Sequence, residues 1–525
     1  MSVEYDVPAY PDLGNIYPGD YYAALPFEEY IDKNQPLPSG ETVFDIRDFG
    51  AVAEEGRLNT EAFWRAAKAC EEAGGGTILV AGGSYRMGTL WVPSDTTLFI
   101  AADAEIVAAK NVDKLIGPNR ELLEHKDAGE DHGVFLRIRN ARNVLVTGGG
   151  RICGSGEWFV HEPRELPSLT PFEVTALPRR DQEKEINTVP GTVRYFYRQR
   201  IRYSDDKYKE GKENLRRAAC LVWVNESQNI TFDNIILHDS MAWTLNLECS
   251  RDIVVKNTVI DDNRHVANTD GIDITGSSNV QIEHCFVSCA DDGIVVKNPI
   301  HTERIMENIR VKDCAVVTVM NAFKIGTETG NDIRDVLVEN CHFLMPDIYP
   351  GSVSGISLES CDGTHLSDVT IRDITMDKVV CPLYICLNKR NRYKEPYTDE
   401  VGVNHFWGGS ISNITIENIK ATNAELPSII TGYEAEKQDG TKVRKAVTDV
   451  TVKGFHVEYR NNKEIVDVPE TIPEFLHNYP ESNAHGDVDA YGIWARHVDG
   501  LVLEDVYVKP RSCNTREMIK LYDVQ

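Results

Sequence analysis

From residue 229 to the end of the chain, a short pattern of polar and apolar positions keeps returning. An Asn or Asp is followed by alternating aliphatics, a polar turn and a second apolar pair. It begins at Asn229-Ile-Thr-Phe and recurs at Asp252-Ile-Val-Val, Asn279-Val-Gln-Ile, Asn308-Ile-Arg-Val, Asp335-Val-Leu-Val, Asp368-Val-Thr-Ile, Asn413-Ile-Thr-Ile, Asp449-Val-Thr-Val and, more loosely, Asp499-Gly-Leu-Val-Leu. Successive starts lie 23, 27, 29, 27, 33, 45, 36 and 50 residues apart. Alternation with period two is that of a strand with one buried face, and recurrence at this spacing is the mark of a solenoid. One repeat is then one coil, with longer loops inserted in the later ones. Six residues after the start, Cys285, Cys314, Cys341, Ile374, Ile419 and Phe455 hold equivalent places, which predicts an internal stack.

A second strand is expected in each coil, at Leu245-Asn246-Leu247, Ile272-Asp273-Ile274, Ile294-Val295-Val296, Phe323-Lys324-Ile325, Ile356-Ser357-Leu358 and Ile385-Cys386-Leu387. Alternation turns the outer members of each triplet inward. Asn246, Asp273, Val295, Lys324, Ser357 and Cys386 then form an outward ridge, along which a groove would hold a chain-like ligand.

The N-terminal part reads differently. Residues 1–42 form an extension, and residues 43–525 a single solenoid domain with insertions at about 157–217, 388–410 and 458–487. Asn59 or Thr60 is placed to cap a helix running through Ala69 to Glu72 and stopped by Gly74 to Gly76, and its apolar face would cover the open first coil. Residues 157–217 carry Arg194, Tyr195, Phe196, Tyr197, Arg198, Arg200 and Tyr203, and read either as a solvated surface excursion or as a lid over a ligand.

Charge and cysteines narrow the classes. With 82 acidic and 55 basic side chains the formal charge is -27, which offers no basic footprint for nucleic acid and no polybasic segment for a membrane. The first residues have neither a basic nor an apolar leader region, and no apolar run reaches the roughly 18 residues of a membrane span, so a cytoplasmic location is expected. The 12 cysteines include no CxxC pair, and several occupy the repeat position above, so packing explains them better than disulfides or metal. No cluster has metal-ligand spacing, and no cofactor is expected. A homo-oligomer is compatible with the sequence.

The chemistry concentrates between Asn268 and Lys297. Asp270 sits on one rung and Asp291 and Asp292 on the next, 21 residues after Asp270, close to one coil, so the three should stack about 4.8 Å apart. Crowded carboxylates push their pKa values apart, one staying protonated while the others ionise, as acid/base cleavage of a glycosidic bond requires. His265, just before this motif, reads as a packed loop histidine or a further catalytic group.

The paired motifs Asn268-Thr269-Asp270-Gly271 and Asp291-Asp292-Gly293, with the Asp48-Phe49-Gly50-Ala51 and glycine-rich cap, resemble glycoside hydrolase family 28, the polygalacturonase and pectinase family. The likeness covers residues 43 to about 390 and implies an all-β fold, a right-handed parallel β-helix of the pectin-lyase-like kind with an N-terminal helical cap. It implies Asp291 as the general acid, and Asp270 and Asp292 as the groups that activate water. That is an inverting mechanism, which asks for acid and base roughly 6.5–9.5 Å apart. Asn268 would position Asp270. Two departures stand out. Met320-Asn321-Ala322 replaces the family's Gly-His-Gly, and Ser357-Leu358-Glu359 replaces the Arg-x-Lys that holds a galacturonate carboxylate. Lys324, one coil earlier, is a relocated positive charge or a lysine paired with Glu328 or Glu359.

The leading reading is an inverting, exo-acting glycosidase of pectin-derived or related plant oligosaccharides, not necessarily selective for galacturonate. Its substrate contacts would come from Asn268, Asn321, Lys324, Ser357, Glu359 and Lys297. A β-helical lyase or epimerase is the alternative, with Lys297 and Lys324 the only outward lysines for its base. A carbohydrate-binding solenoid without catalysis is the third.

Overall fold

The computed structural model describes residues 27–110, 114–115, 133–156, 220–263, 268–344, 352–390, 409–436, 440–459, 479–510 and 514–525, with isolated positions 468, 472–474 and 476. The expected lid at 157–217, most of the insertion at 388–410 and His265 lie outside them. The described residues fall into two compact units, one ending at Asp291 and the other beginning at Asp292.

The first unit opens with strand Val43–Asp45 and helix Thr60–Glu72. Ala62, Phe63, Ala66, Ala67 and Cys70 form the helix's buried stripe, which packs on strands Val43–Asp45, Gly76–Val80 and Leu90–Trp91. This is the expected cap, but neither candidate side chain caps it. The Asn59 side chain accepts from the Val52 amide at 2.8 Å, and Thr60 Oγ1 accepts from the Gly88 amide at 2.8 Å, so both tie the helix start to loops instead. Gly74, with φ of 83°, follows the helix end and takes a left-handed conformation that costs glycine little. The described end of the extension is fastened to the coils. Asp32 and Asn234 exchange two 2.8 Å hydrogen bonds, and Tyr30 stacks on His284 at 4.8 Å.

Beyond the cap the first unit is a stack of parallel rungs. Val222, Leu245 and Ile272 lie in register, as do Ile230, Ile253 and Val280. The second unit repeats the arrangement: Ile309, Val336, Val369, Ile414, Val450 and Leu501 stack rung on rung. Cys341, Ile374, Ile419 and Phe455 form the expected internal stack and are fully buried. Ile374, Ile419 and Phe455 each contribute about 1.5–3 kcal/mol through burial.

The Asn or Asp that starts each repeat has a physical role. Asn229, Asp252, Asn279, Asn308, Asp335, Asp368, Asn413 and Asp449 all have φ between 53° and 58°. Asn and Asp tolerate this left-handed corner better than other residues with a side chain. Neighbouring corners also bond along the stack, as from Asn279 Nδ2 to Asp252 Oδ1 at 2.9 Å and from Asn413 Nδ2 to Asp368 Oδ1 at 2.6 Å. No described helix is long and apolar enough to cross a membrane.

Candidate active site

The expected second strands exist, and alternation sets their facing. In the first unit Trp223, Asn246 and Asp273 are in register. In the second, Val295, Lys324, Ser357 and Tyr384 are. The last rung corrects the sequence reading. Cys386 pairs with Glu359, so Tyr384 continues the line of Lys324 and Ser357. A two-residue slip preserves the face and is invisible to alternation alone.

Asp270 and Asp291 belong to the first unit. The backbone carbonyl of Thr269 accepts from the amides of Ala290 at 3.2 Å and Asp291 at 3.3 Å, which locks the two motifs on adjacent coils. Both aspartates are buried, at 3% and 6% exposure, and their nearest carboxylate oxygens lie within 4.8 Å. That is closer than the 6.5–9.5 Å expected between an inverting acid and base, because stacking on adjacent rungs brings the side chains to about the rung spacing. Asn268 is not on a strand. It occupies a turn with φ of 59°, and its Nδ2 donates to Asp291 Oδ2 at 3.4 Å, a contact the sequence reading did not foresee.

Asp292, the next residue in the chain, opens the second unit. Its Oδ1 accepts from Asn321 Nδ2 at 2.7 Å, and its Oδ2 lies 3.1 Å from the Lys324 ammonium. Asp292 therefore has a counter-ion 32 residues downstream, which its sequence neighbours do not reveal. Asn321 makes a contact that an amide serves by donating. The ion pair of Lys324 is with Asp292, and Glu359, one of the two partners expected from the sequence, lies near enough to act on it as well. Burial works against the lysine's charge, but Asp292 and then Glu359 outweigh it and carry its pKa well above normal.

Ser357 and Glu359 project from one face of strand Ser352–Ser360, and Ser357 Oγ donates to Glu359 Oε1 at 2.6 Å. Burial pushes the Glu359 carboxyl up to about 8, against the opposing pull of Lys324. A largely protonated acid removes the repulsion that a permanently charged Glu359 would bring. Lys297 is buried on strand Ile294–Asn298, two residues beyond Val295 and on its face.

The outward face of the second unit is not an open groove. Ser354 Oγ is bonded to Ser482 Oγ at 3.2 Å, and Tyr384 Oη to His485 Nε2 at 2.8 Å. The Tyr479 ring lies 5.5 Å from the Lys324 ammonium, and Thr327 Oγ1 donates to Tyr479 Oη at 3.3 Å. The end of the 458–487 insertion thus roofs the rungs of Lys324, Ser357 and Tyr384. Arg390 adds a second cation beside Tyr479, already ion-paired with Asp362. Tyr384, Arg390, Tyr479 and His485 were missed in the sequence, where only their positions in or beside insertions hinted at a role.

Among the described residues no cysteine is in a disulfide. Among the described residues, two groups of side chains have the proximity of metal ligands, one containing Asp270 and Asp291 and the other made of Glu105, Cys153 and His238.

The comparisons with known proteins make the chain a glycosidase. The family model for glycosyl hydrolases family 28 matches residues 199–471. A probable polygalacturonase of Vitis vinifera is 23% identical over 428 residues, 78% of this chain and 75% of that protein. The exo-poly-alpha-D-galacturonosidase of Dickeya chrysanthemi is 22% identical over 410 residues, 73% of this chain and 64% of that protein. The solved structure of a hyperthermoactive exopolygalacturonase from Thermotoga maritima superposes with a TM-score of 0.61 at 17% identity, over 92% of this chain and 95% of that one. The fold is the right-handed parallel β-helix, and the chain belongs to glycosyl hydrolase family 28.

Proposed function

We propose that the protein is an inverting, exo-acting glycosidase that removes terminal units from pectin-derived or related plant oligosaccharides. Asp291 protonates the leaving oxygen, and Asp270 and Asp292 activate the water. The burial of Asp270 and Asp291 with carboxylates within 4.8 Å, followed directly by an ion-paired Asp292, supports acid/base cleavage. The inverting course rests on membership of family 28, since this spacing is shorter than the roughly 6.5–9.5 Å of an inverting pair. Exo action is supported by the roof of Tyr479, Ser482 and His485, which covers rungs that an internally cleaved polymer would have to cross. The relatives named for galacturonosidase activity support a pectic substrate. Lys324 and Arg390 are already engaged by Asp292 and Asp362, which supports tolerance of sugars without a carboxylate. The lyase reading loses Lys324 as its base, since a lysine with a raised pKa stays an ammonium.

The test is incubation of the purified protein with pectic and neutral plant oligosaccharides, following product anomers by proton NMR beside Asp291→Asn. Initial release of the inverted anomer, reduced about 10²–10⁴-fold in the variant, is expected. Release of the retained anomer would overturn the inverting assignment. Unsaturated products would favour a lyase, and rapid shortening of long chains would exclude exo action.

A further inference from the structure

Eleven cysteines are described, and ten of them are buried; Cys153 alone is partly exposed. It does not belong to the internal stacks that account for Cys341 and its equivalents. Cys153 ends strand Arg151–Cys153 and lies in register with Val107 on one side and His238 on the other. Glu105 stands two residues before Val107, so alternation sends Glu105, Cys153 and His238 to the same outer face. Ile106, Ile152 and Leu237 between them are fully buried on the opposite face. Three coils of the first unit thus bring a thiol, an imidazole and a carboxylate together from positions far apart in sequence.

Their donor atoms all lie within 4.8 Å of one another, and His238 Nε2 is 2.8 Å from Glu105 Oε1. Tetrahedral zinc, with ligand bonds of about 2.0–2.3 Å, sets its donor atoms roughly 3.3–3.8 Å apart. Small side-chain rotations therefore meet that spacing without moving the sheet. Ser84 Oγ donates to Glu105 Oε2 at 3.3 Å and orients the carboxylate, as the outer partners of metal ligands do. Sulfur and nitrogen donors exclude calcium and magnesium as the preferred ion and suit zinc, and partial exposure leaves a fourth position for water.

We infer that Glu105, Cys153 and His238 form a zinc-binding site on the outer face of the first unit, apart from the catalytic aspartates, where the ion links three coils. The competing reading is a metal-free chain of hydrogen bonds through His238.

Cobalt serves as the spectroscopic probe. Tag-free, chelator-treated full-length protein titrated with Co²⁺ is expected to develop tetrahedral d–d absorption and a thiolate-to-cobalt charge-transfer band at one equivalent, and Zn²⁺ should bleach both. Cys153→Ser should lose the charge-transfer band, and His238→Gln should weaken cobalt binding, with glycosidase activity unchanged in both. Zn²⁺ should also slow alkylation of Cys153 in the wild-type protein by about tenfold or more, a readout that needs no variant. Absence of the thiolate band in the wild type, its persistence in Cys153→Ser, or alkylation unaffected by Zn²⁺ would each overturn the site.

Discussion

The Lys324 ammonium lies 3.1 Å from Asp292 Oδ2, and both side chains are buried, at 1% and 7% exposure. A pair so placed is worth most as a unit, because removing one partner leaves the other charge unmatched in a poorly solvated place. It also fixes which way the Asp292 carboxylate faces, since Asn321 holds the other oxygen.

Lys324→Met should therefore destabilise the fold by about 3–5 kcal/mol and lower kcat by at least about 100-fold. The double variant with Asp292→Asn should recover most of the stability and none of the activity. Urea unfolding and steady-state kinetics on the three proteins check this; a Lys324→Met enzyme with near-normal kcat would show that the pair does not orient Asp292.

Glu359 carries a pH signature. Its carboxyl is raised from 4.5 to about 8 in the folded protein, chiefly by burial. Below pH 4.5 both states hold the proton, so the group costs nothing. Between pH 4.5 and 8 the unfolded chain releases it while the folded chain keeps it, and stability falls by about 1.4 kcal/mol per pH unit before levelling off. Glu359→Gln, neutral throughout, should lack this fall and gain on the wild type as pH rises from 5.5 to 8. Denaturation midpoints at the two pH values decide it, and a difference that does not change with pH would contradict the protonated state.

His485 titrates in the opposite sense. Burial lowers its pKa to about 3, so the folded protein keeps it neutral beside the Tyr384 hydroxyl. As pH falls from 6.5 towards 3 the unfolded chain gains a proton that the folded chain refuses, and stability declines across that window. His485→Gln should unfold less readily than the wild type on acidification from pH 7 to 4.5, measured as the change in Tm. An equal loss in both proteins would rule out His485 as a source of acid sensitivity.

Gly326 has no room for a side chain. Its φ is 137°, and a methyl group there would sit 2.5 Å from Glu359 Oε2 and 2.9 Å from Glu359 Cβ. Gly326→Ala should cost about 2 kcal/mol or more and disturb activity together with stability. Thermal unfolding and kcat on the variant suffice, and wild-type values in both would mean that the Glu359 side chain moves aside freely.

Much of this molecule was legible in the chain. The repeat starts, the inward stack through Cys341, Ile374, Ile419 and Phe455, the helical cap and the adjacency of the Asp270 and Asp291 coils all follow from period-two alternation and from spacing near one coil. The Asn and Asp corners were visible as a pattern, and their left-handed backbone explains it. Register beyond Ser357 was misread because shifting a strand by two residues leaves every side chain on its expected face.

The sequence by itself determined the solenoid, its rungs and the candidate aspartates, because those depend on contacts within a coil or between consecutive coils. Only the tertiary structure decided that Lys324 pairs with Asp292, that Tyr479, Ser482 and His485 roof the face once expected to be a groove, and that Glu105, Cys153 and His238 meet. Those contacts join positions separated by irregular insertions, and alternation along a strand carries no record of where such an insertion returns. Burial then set the chemistry, since the same Glu359 carboxyl that would ionise in water keeps its proton at a fully buried position.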